Sequence, residues 1–161
     1  MNFPLCPRFQ AVLFDMDGTL LDTLSDMQDA VNHILFENGW PQRTLEEIRA
    51  FVGNGAAKLM ERAIPEPIAP QRFQEILSAY KDWYQAHNCV KTAPYPGIPE
   101  VLAELEKMGV KTAVVSNKPD ATTKALAEKF FPGMPALGQR DGVDPKPSPA
   151  LVAQSLSALG V

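Results

Sequence analysis

The chain has 161 residues, 45% of them apolar and 21% charged, a size and balance that suit one globular domain or a small core carrying an insertion. A formal net charge of -4 and the lack of a basic stripe argue against a nucleic-acid surface. No apolar run approaches the roughly 18 residues of a membrane span, and the opening MNFPLCPRFQ has neither a charged leader nor a signal-type apolar block, so no membrane partner and a cytoplasmic location are expected. Cys6 and Cys89 form no CxxC pair and read as free thiols.

Residues 11–16 open with Ala11-Val12-Leu13-Phe14 and read as a strand apolar on both faces, the pattern of a parallel sheet covered on both sides. From Thr23 the period changes. Leu24, Met27, Val31, Ile34 and Leu35 recur at helical spacing until Gly39 stops the run. Thr44 caps a short helix, with Glu47 three residues on completing a capping box. Gly53-Asn54-Gly55 breaks the chain, and residues 56–63 are helical again. Pro65, Pro67 and Pro70 make a stiff loop before a long helix over about 71–87. Nothing between residues 23 and 92 reads as a strand, so this stretch is an all-helical block. His33 and His87 fall in its helices without forming a metal-ligand pair, and Trp40, Trp83 and Tyr84 are expected to pack it.

After Pro94 and Pro96-Gly97 the pattern alternates. A helix over 99–108 closes at Gly109, followed by a strand at 110–115, a helix at 120–131, a short strand at 136–138 and a helix at 148–159 ending at Gly160. Strand and helix in series mean a parallel sheet with right-handed crossovers. The first strand belongs with it. The expected organisation is a discontinuous α/β core, 1–21 and 93–161, interrupted by a helical insertion, 22–92.

In open parallel sheets ligands sit beyond the carboxyl ends of the strands. Three clusters occupy such positions: Asp15 and Asp17 after the first strand, Ser116-Asn117-Lys118-Pro119 after the second, and Pro145-Lys146-Pro147-Ser148-Pro149 after the third. Singly, each has a plain reading as a turn, a helix cap or a solvated loop. Together, two acids, a hydroxyl-amide pair and a lysine between prolines converge on one sheet edge in an order suited to phosphate chemistry.

The D-M-D-G-T of Asp15 to Thr19, the S-N of Ser116-Asn117 and the K-P of Lys146-Pro147 resemble the first three signature motifs of haloacid dehalogenase-type phosphatases. V-G-N-G-A-A-K-L-M-E-R-A (52–63), V-S-N-K-P (115–119), F-P-G (131–133), G-Q-R-D-G (138–142) and P-K-P-S-P (145–149) look like the phosphoglycolate phosphatase-like branch, over nearly the whole chain. The resemblance implies a Rossmann-like sheet core with an inserted all-helical cap. It also implies a magnesium-dependent phosphomonoester hydrolase acting on a small phosphorylated metabolite, with 2-phosphoglycolate foremost.

By that resemblance Asp15 attacks phosphorus and forms an aspartyl-phosphate, splitting hydrolysis into two steps. Asp17 protonates the departing alkoxide and then deprotonates the attacking water, with the charge of Asp15 beside it. Gly18 permits the tight departure from the strand, Thr19 completes the motif, and Ser116 with the Asn117 backbone holds phosphoryl oxygens. Lys146 offsets the charge of the nucleophile and the transferring group. Mg2+ binds the Asp15 carboxylate and the Asp17 carbonyl. The cap loop Gly53-Asn54-Gly55 is expected to reach the substrate, and Lys58 and Arg62, one helical turn apart, could meet a second anionic group. The second acid favours a phosphatase over a dehalogenase, since halide leaves without a proton. A sugar phosphomutase keeps both acids and is the alternative.

The sequence departs from the family at its fourth motif, an acidic Gly-Asp cluster after a further strand. No Gly-Asp pair occurs in the 161 residues, and Asp141 and Asp144 lie ahead of Lys146 and are not expected to replace it. The expectation is a form shortened before that motif and lacking turnover as it stands. The apolar strand 11–16 then becomes an unprotected edge. Such an edge would suit self-association by strand addition, the reading of the chain as a non-catalytic module.

Overall fold

The computed structural model describes residues 9–161; Cys6 lies outside them. Among the described residues the chain runs β1 (Ala11–Phe14), β2 (Leu21–Asp22), α1 (Leu24–Glu37), α2 (Leu45–Phe51), α3 (Ala56–Ala63), α4 (Pro70–His87), β3 (Ala93–Pro94), α5 (Ile98–Lys107), β4 (Lys111–Pro119), α6 (Asp120–Phe130), β5 (Ala136–Gln139) and α7 (Ala150–Leu159). It divides into two compact units, one built of the chain up to Leu20 and from Pro94 onward, the other of Leu21–Ala93.

The first unit holds a parallel sheet in the order β1-β4-β5, which is the α/β core that the alternating pattern predicts. Pairing runs from Ala11 opposite Lys111 to Phe14 opposite Val114, and from Val114 opposite Ala136 to Val115 opposite Leu137. The central strand takes the deepest burial. Ala113, Val114 and Val115 are buried, together with Leu126 and Ala127 of α6 and Leu151 of α7. The four residues of β1 are only half-buried, because β1 has a ladder partner on one side among the described residues.

Two strand ends differ from expectation. β1 stops at Phe14, and Met16, expected inside the strand, is buried in a turn where its carbonyl accepts from Thr19 N (3.3 Å) and Leu20 N (3.1 Å). β4 continues past Val115 to Pro119, with its register to β5 broken between those residues. Ser116, Asn117 and Lys118 are therefore buried, extended chain and not the first turn of a helix.

The second unit is the helical one. α1 contributes Met27, Val31, Ile34 and Leu35 to its core; α2 adds Ile48, α3 adds Leu59 and Met60, and α4 adds Ile76, Leu77, Tyr80 and Tyr84. The helical period placed Met27, Val31, Ile34 and Leu35 correctly because α1 buries one stripe. The capping box forms as the spacing predicts: Glu47 N donates to Thr44 Oγ1 (3.2 Å) and Thr44 N donates to Glu47 Oε2 (2.8 Å). The bond from the Thr44 N–H holds the Glu47 carboxyl below the usual range. Pro70 stands at the start of α4, where its missing N–H costs nothing. Trp83 stacks between His33 and His87, with centroids 4.9 and 4.0 Å away, so both histidines serve packing. β2 and β3 pair as a two-stranded ribbon too short to leave a period in the sequence.

Within this unit Asp26 makes connections that local spacing does not announce. Its side chain is buried on α1 and accepts from Val90 N (3.1 Å), Lys91 N (2.9 Å) and Thr92 N (2.9 Å), and from Thr92 Oγ1 (2.7 Å). The returning segment is thereby tied to the helix that opens the unit.

Candidate active site

Asp15 follows directly on β1, where an apolar strand reaches solvent, and its side chain is 45% exposed. Its two oxygens are treated unequally. Oδ1 accepts from Met16 N (2.8 Å) and lies 3.0 Å from Lys146 Nζ, whereas Oδ2 makes no hydrogen bond or ion pair among the described residues. A carboxylate pinned at one oxygen and open at the other is oriented without being used up. Gly18, at φ +76°, takes the left-handed conformation that the turn after Asp17 needs. Thr19 contributes its backbone N–H to that turn.

Lys146 is held from three directions. Its N–H donates to Asn117 Oδ1 (2.7 Å) and its carbonyl accepts from Asn117 Nδ2 (3.1 Å), so one amide side chain grips the loop as a pincer. Its ammonium donates to the Val115 carbonyl (2.7 Å) besides pairing with Asp15. The Lys146–Pro147 peptide is cis. The resemblance assigned Asn117 through its backbone; the structure shows the Asn117 side chain fastening Lys146. Ser116 is buried at the same strand end. Its Oγ accepts from Lys118 N (3.2 Å) and donates to no acceptor among the described residues.

The motif reading gave both acids a single ammonium. The structure gives each its own. Lys118 Nζ lies 2.8 Å from Asp17 Oδ1, and this pair is far less exposed than Asp15 with Lys146. Lys118 stood inside the quoted V-S-N-K-P without a role. The signal that could have found it is a lysine at the end of a buried strand, where an unpaired charge is expensive.

Gly138 of β5 lets these strands meet. A Cβ there would stand 2.6 Å from each of Lys118 O, Asp120 Cα and Thr123 Oγ1. Two of those three atoms are backbone and cannot rotate away. Gly138→Ala is therefore expected to cost about 2 kcal/mol of stability, read as a lower urea midpoint. Asp120, opening α6, accepts from Gly138 N (2.9 Å). Burial pushes its carboxyl up, but the bonds from Lys124 and from Gly138 N–H outweigh that and hold it below the usual range.

Gly53, Asn54 and Gly55 belong to the helical unit, where they join α2 to α3, with both glycines at positive φ. Lys58 and Arg62 do not offer free charges for a second anion. Lys58 pairs with Glu61 (2.6 Å), while Arg62 donates to Phe51 O (2.7 Å) and Asn54 Oδ1 (3.0 Å), bracing the loop. No group of three or more metal-ligating side chains occurs among the described residues, so Asp141 and Asp144 complete no cluster. Asp15 and Asp17 nonetheless fit Mg2+, which commonly binds through one or two carboxylates plus phosphate oxygens and water. A carboxylate oxygen of Asp15 and the Asp17 main-chain carbonyl are the hard donors such an ion needs. No helix of the described residues is long and apolar enough to cross a membrane.

The profile of the haloacid dehalogenase-like hydrolases matches residues 12–161. A phosphoglycolate phosphatase of Pseudomonas savastanoi pv. phaseolicola is 35% identical over 164 residues, covering 93% of this chain and 58% of that protein. An N-acetylmuramic acid 6-phosphate phosphatase of Pseudomonas aeruginosa is 38% identical over 123 residues, covering 76% of this chain and 54% of its own length. The chain thus spans a little more than half of these relatives. The crystal structure of a candidate phosphoglycolate phosphatase from Lactobacillus delbrueckii subsp. bulgaricus superposes with a TM-score of 0.86 at 34% identity, covering 95% of this chain and 74% of that one. With its parallel β1-β4-β5 sheet, its helical insertion and its ordered Asp, Ser and Lys clusters, the chain belongs to the haloacid dehalogenase-like hydrolase family.

Proposed function

We propose that the chain carries the phosphoryl-transfer centre of a phosphomonoester hydrolase working through an aspartyl-phosphate. Asp15 Oδ2 attacks phosphorus, the bond to the ester oxygen breaks, and water then hydrolyses the acyl phosphate, two easier steps in place of one hard one. Asp17 gives a proton to the departing alkoxide and takes one from the water. Lys146 offsets the charge that accumulates when a phosphate dianion meets a carboxylate, and the Ser116 hydroxyl donates to a phosphoryl oxygen. Mg2+, held by the Asp15 carboxylate and the Asp17 main-chain carbonyl, would supply further neutralisation of the phosphoryl charge. The single observation that carries this reading is the divided Asp15 carboxylate, one oxygen pinned beside Lys146 and the other open.

The substrates in the relatives' names, phosphoglycolate and N-acetylmuramic acid 6-phosphate, are both phosphate monoesters that also carry a carboxylate. We take that class as the substrate class here, with 2-phosphoglycolate first. Against the expectation that the shortened form lacks turnover, the open Asp15 oxygen beside Lys146 leads us to expect that purified protein with Mg2+ releases inorganic phosphate from 2-phosphoglycolate, and that EDTA stops the release. A folded protein that frees phosphate from neither ester would overturn the proposal; isomerisation of a sugar phosphate without release would turn it into a phosphomutase.

A further inference from the structure

Lys118 places an ammonium where an apolar strand would ordinarily tolerate none. It follows Val114, Val115 and Ser116 along β4, and its side chain is only 3% exposed. The counter-charge is Asp17, 2.8 Å away and 16% exposed. The main chain of Lys118 is fixed as firmly as its tip. Its N–H donates to Ser116 Oγ (3.2 Å), and its carbonyl accepts from Thr123 Oγ1 (3.2 Å) against the bare Cα of Gly138. A lysine anchored at both ends leaves the carboxylate it holds little choice of direction. Lys146 cannot do this work, since it is committed to Asp15, to the Val115 carbonyl and to the Asn117 pincer.

We propose that Lys118 is the positioning residue for Asp17, aiming its carboxyl at the ester oxygen of the substrate. This rests on the phosphomonoester-hydrolase reading above. As the P–O bond breaks, its electron pair goes to the ester oxygen, which takes the proton that Asp17 carries when substrate is bound, and Lys118 pairs with the carboxylate left behind. Lys118 acts through Asp17, so its removal harms only esters whose leaving oxygen needs that proton. An alkyl ester such as 2-phosphoglycolate needs it. p-Nitrophenyl phosphate, whose leaving group is stable as an anion, does not.

The test compares the full chain with Lys118→Met, Asp17→Asn and the double variant on both esters. With 2-phosphoglycolate, Lys118→Met is expected to lower kcat about 100-fold and to change KM less than about threefold. With p-nitrophenyl phosphate the loss should stay below about fivefold. In the Asp17→Asn background, adding Lys118→Met should cost no further kcat. The same four proteins give a melting cycle, in which each single substitution lowers Tm by about 4 °C and the double by clearly less than the sum. Equal losses on the two esters, or additive Tm shifts, would overturn the proposal. If the parent turns over neither ester, the hydrolase reading fails, while the melting cycle still decides whether Lys118 holds Asp17.

Discussion

Exchanging Asp15 for asparagine is expected to lower phosphate release from 2-phosphoglycolate by at least about 10⁴-fold, because it removes the atom that makes the covalent bond. Asparagine preserves the shape and can still accept from Met16 N through its carbonyl, so the turn after β1 stays in place. What it loses is the charge, and with it the nucleophilic Oδ2 and the pairing with Lys146. Both partners of that pair are substantially exposed, so its loss should shift stability by less than about 1 kcal/mol. A collapse of turnover with an almost unchanged melt is therefore the expected signature. Phosphate release assays and thermal unfolding on the same preparation check it. Retention of more than a tenth of the parent rate would mean that Asp15 is not the nucleophile.

The family pattern in the sequence was legible because its motifs are short and each sits at the end of a strand. The apolar runs placed β1 and the core of β4, and the acids after β1 follow from where the run stops. What escaped is long-range. The continuation of β4 through Ser116 and Lys118 has no alternating period, since those residues are polar and yet buried. The Lys118–Asp17 pair spans 101 residues of chain, and no local spacing encodes it. The same holds for Gly138, whose need for a missing side chain arises from β4 and α6 and not from its own turn. Lys58 and Arg62 were read from helical spacing as open cations, but side chains and carbonyls brought near by the fold claim both. Residues whose role lies on their own element could be read; those that close a distance between elements could not.

Asp26 is the strongest instance, and its substitution carries the largest expected loss of stability. A carboxylate that is 1% exposed accepts from three successive backbone N–H groups and one hydroxyl of residues 64–66 positions further along the chain. Charge-assisted bonds of this kind exceed neutral ones, and their loss leaves donors without acceptors. Asp26→Ala is expected to lower the unfolding free energy of the helical unit by about 3 kcal/mol, and Asp26→Asn by roughly half as much. The amide keeps one acceptor oxygen but turns an NH₂ towards the N–H donors. Asp29→Ala is the control: Asp29 pairs with Lys91 at the surface, so its loss should cost below about 1 kcal/mol. Urea unfolding followed by helical circular dichroism measures all three. Amide exchange at Lys91 and Thr92 should accelerate most in Asp26→Ala, less in Asp26→Asn, which keeps one acceptor oxygen, and not in Asp29→Ala, where the Asp26 carboxylate still accepts from both N–H groups. An Asp26→Ala protein within about 0.5 kcal/mol of the parent would show that the returning segment is held by packing and not by this carboxylate.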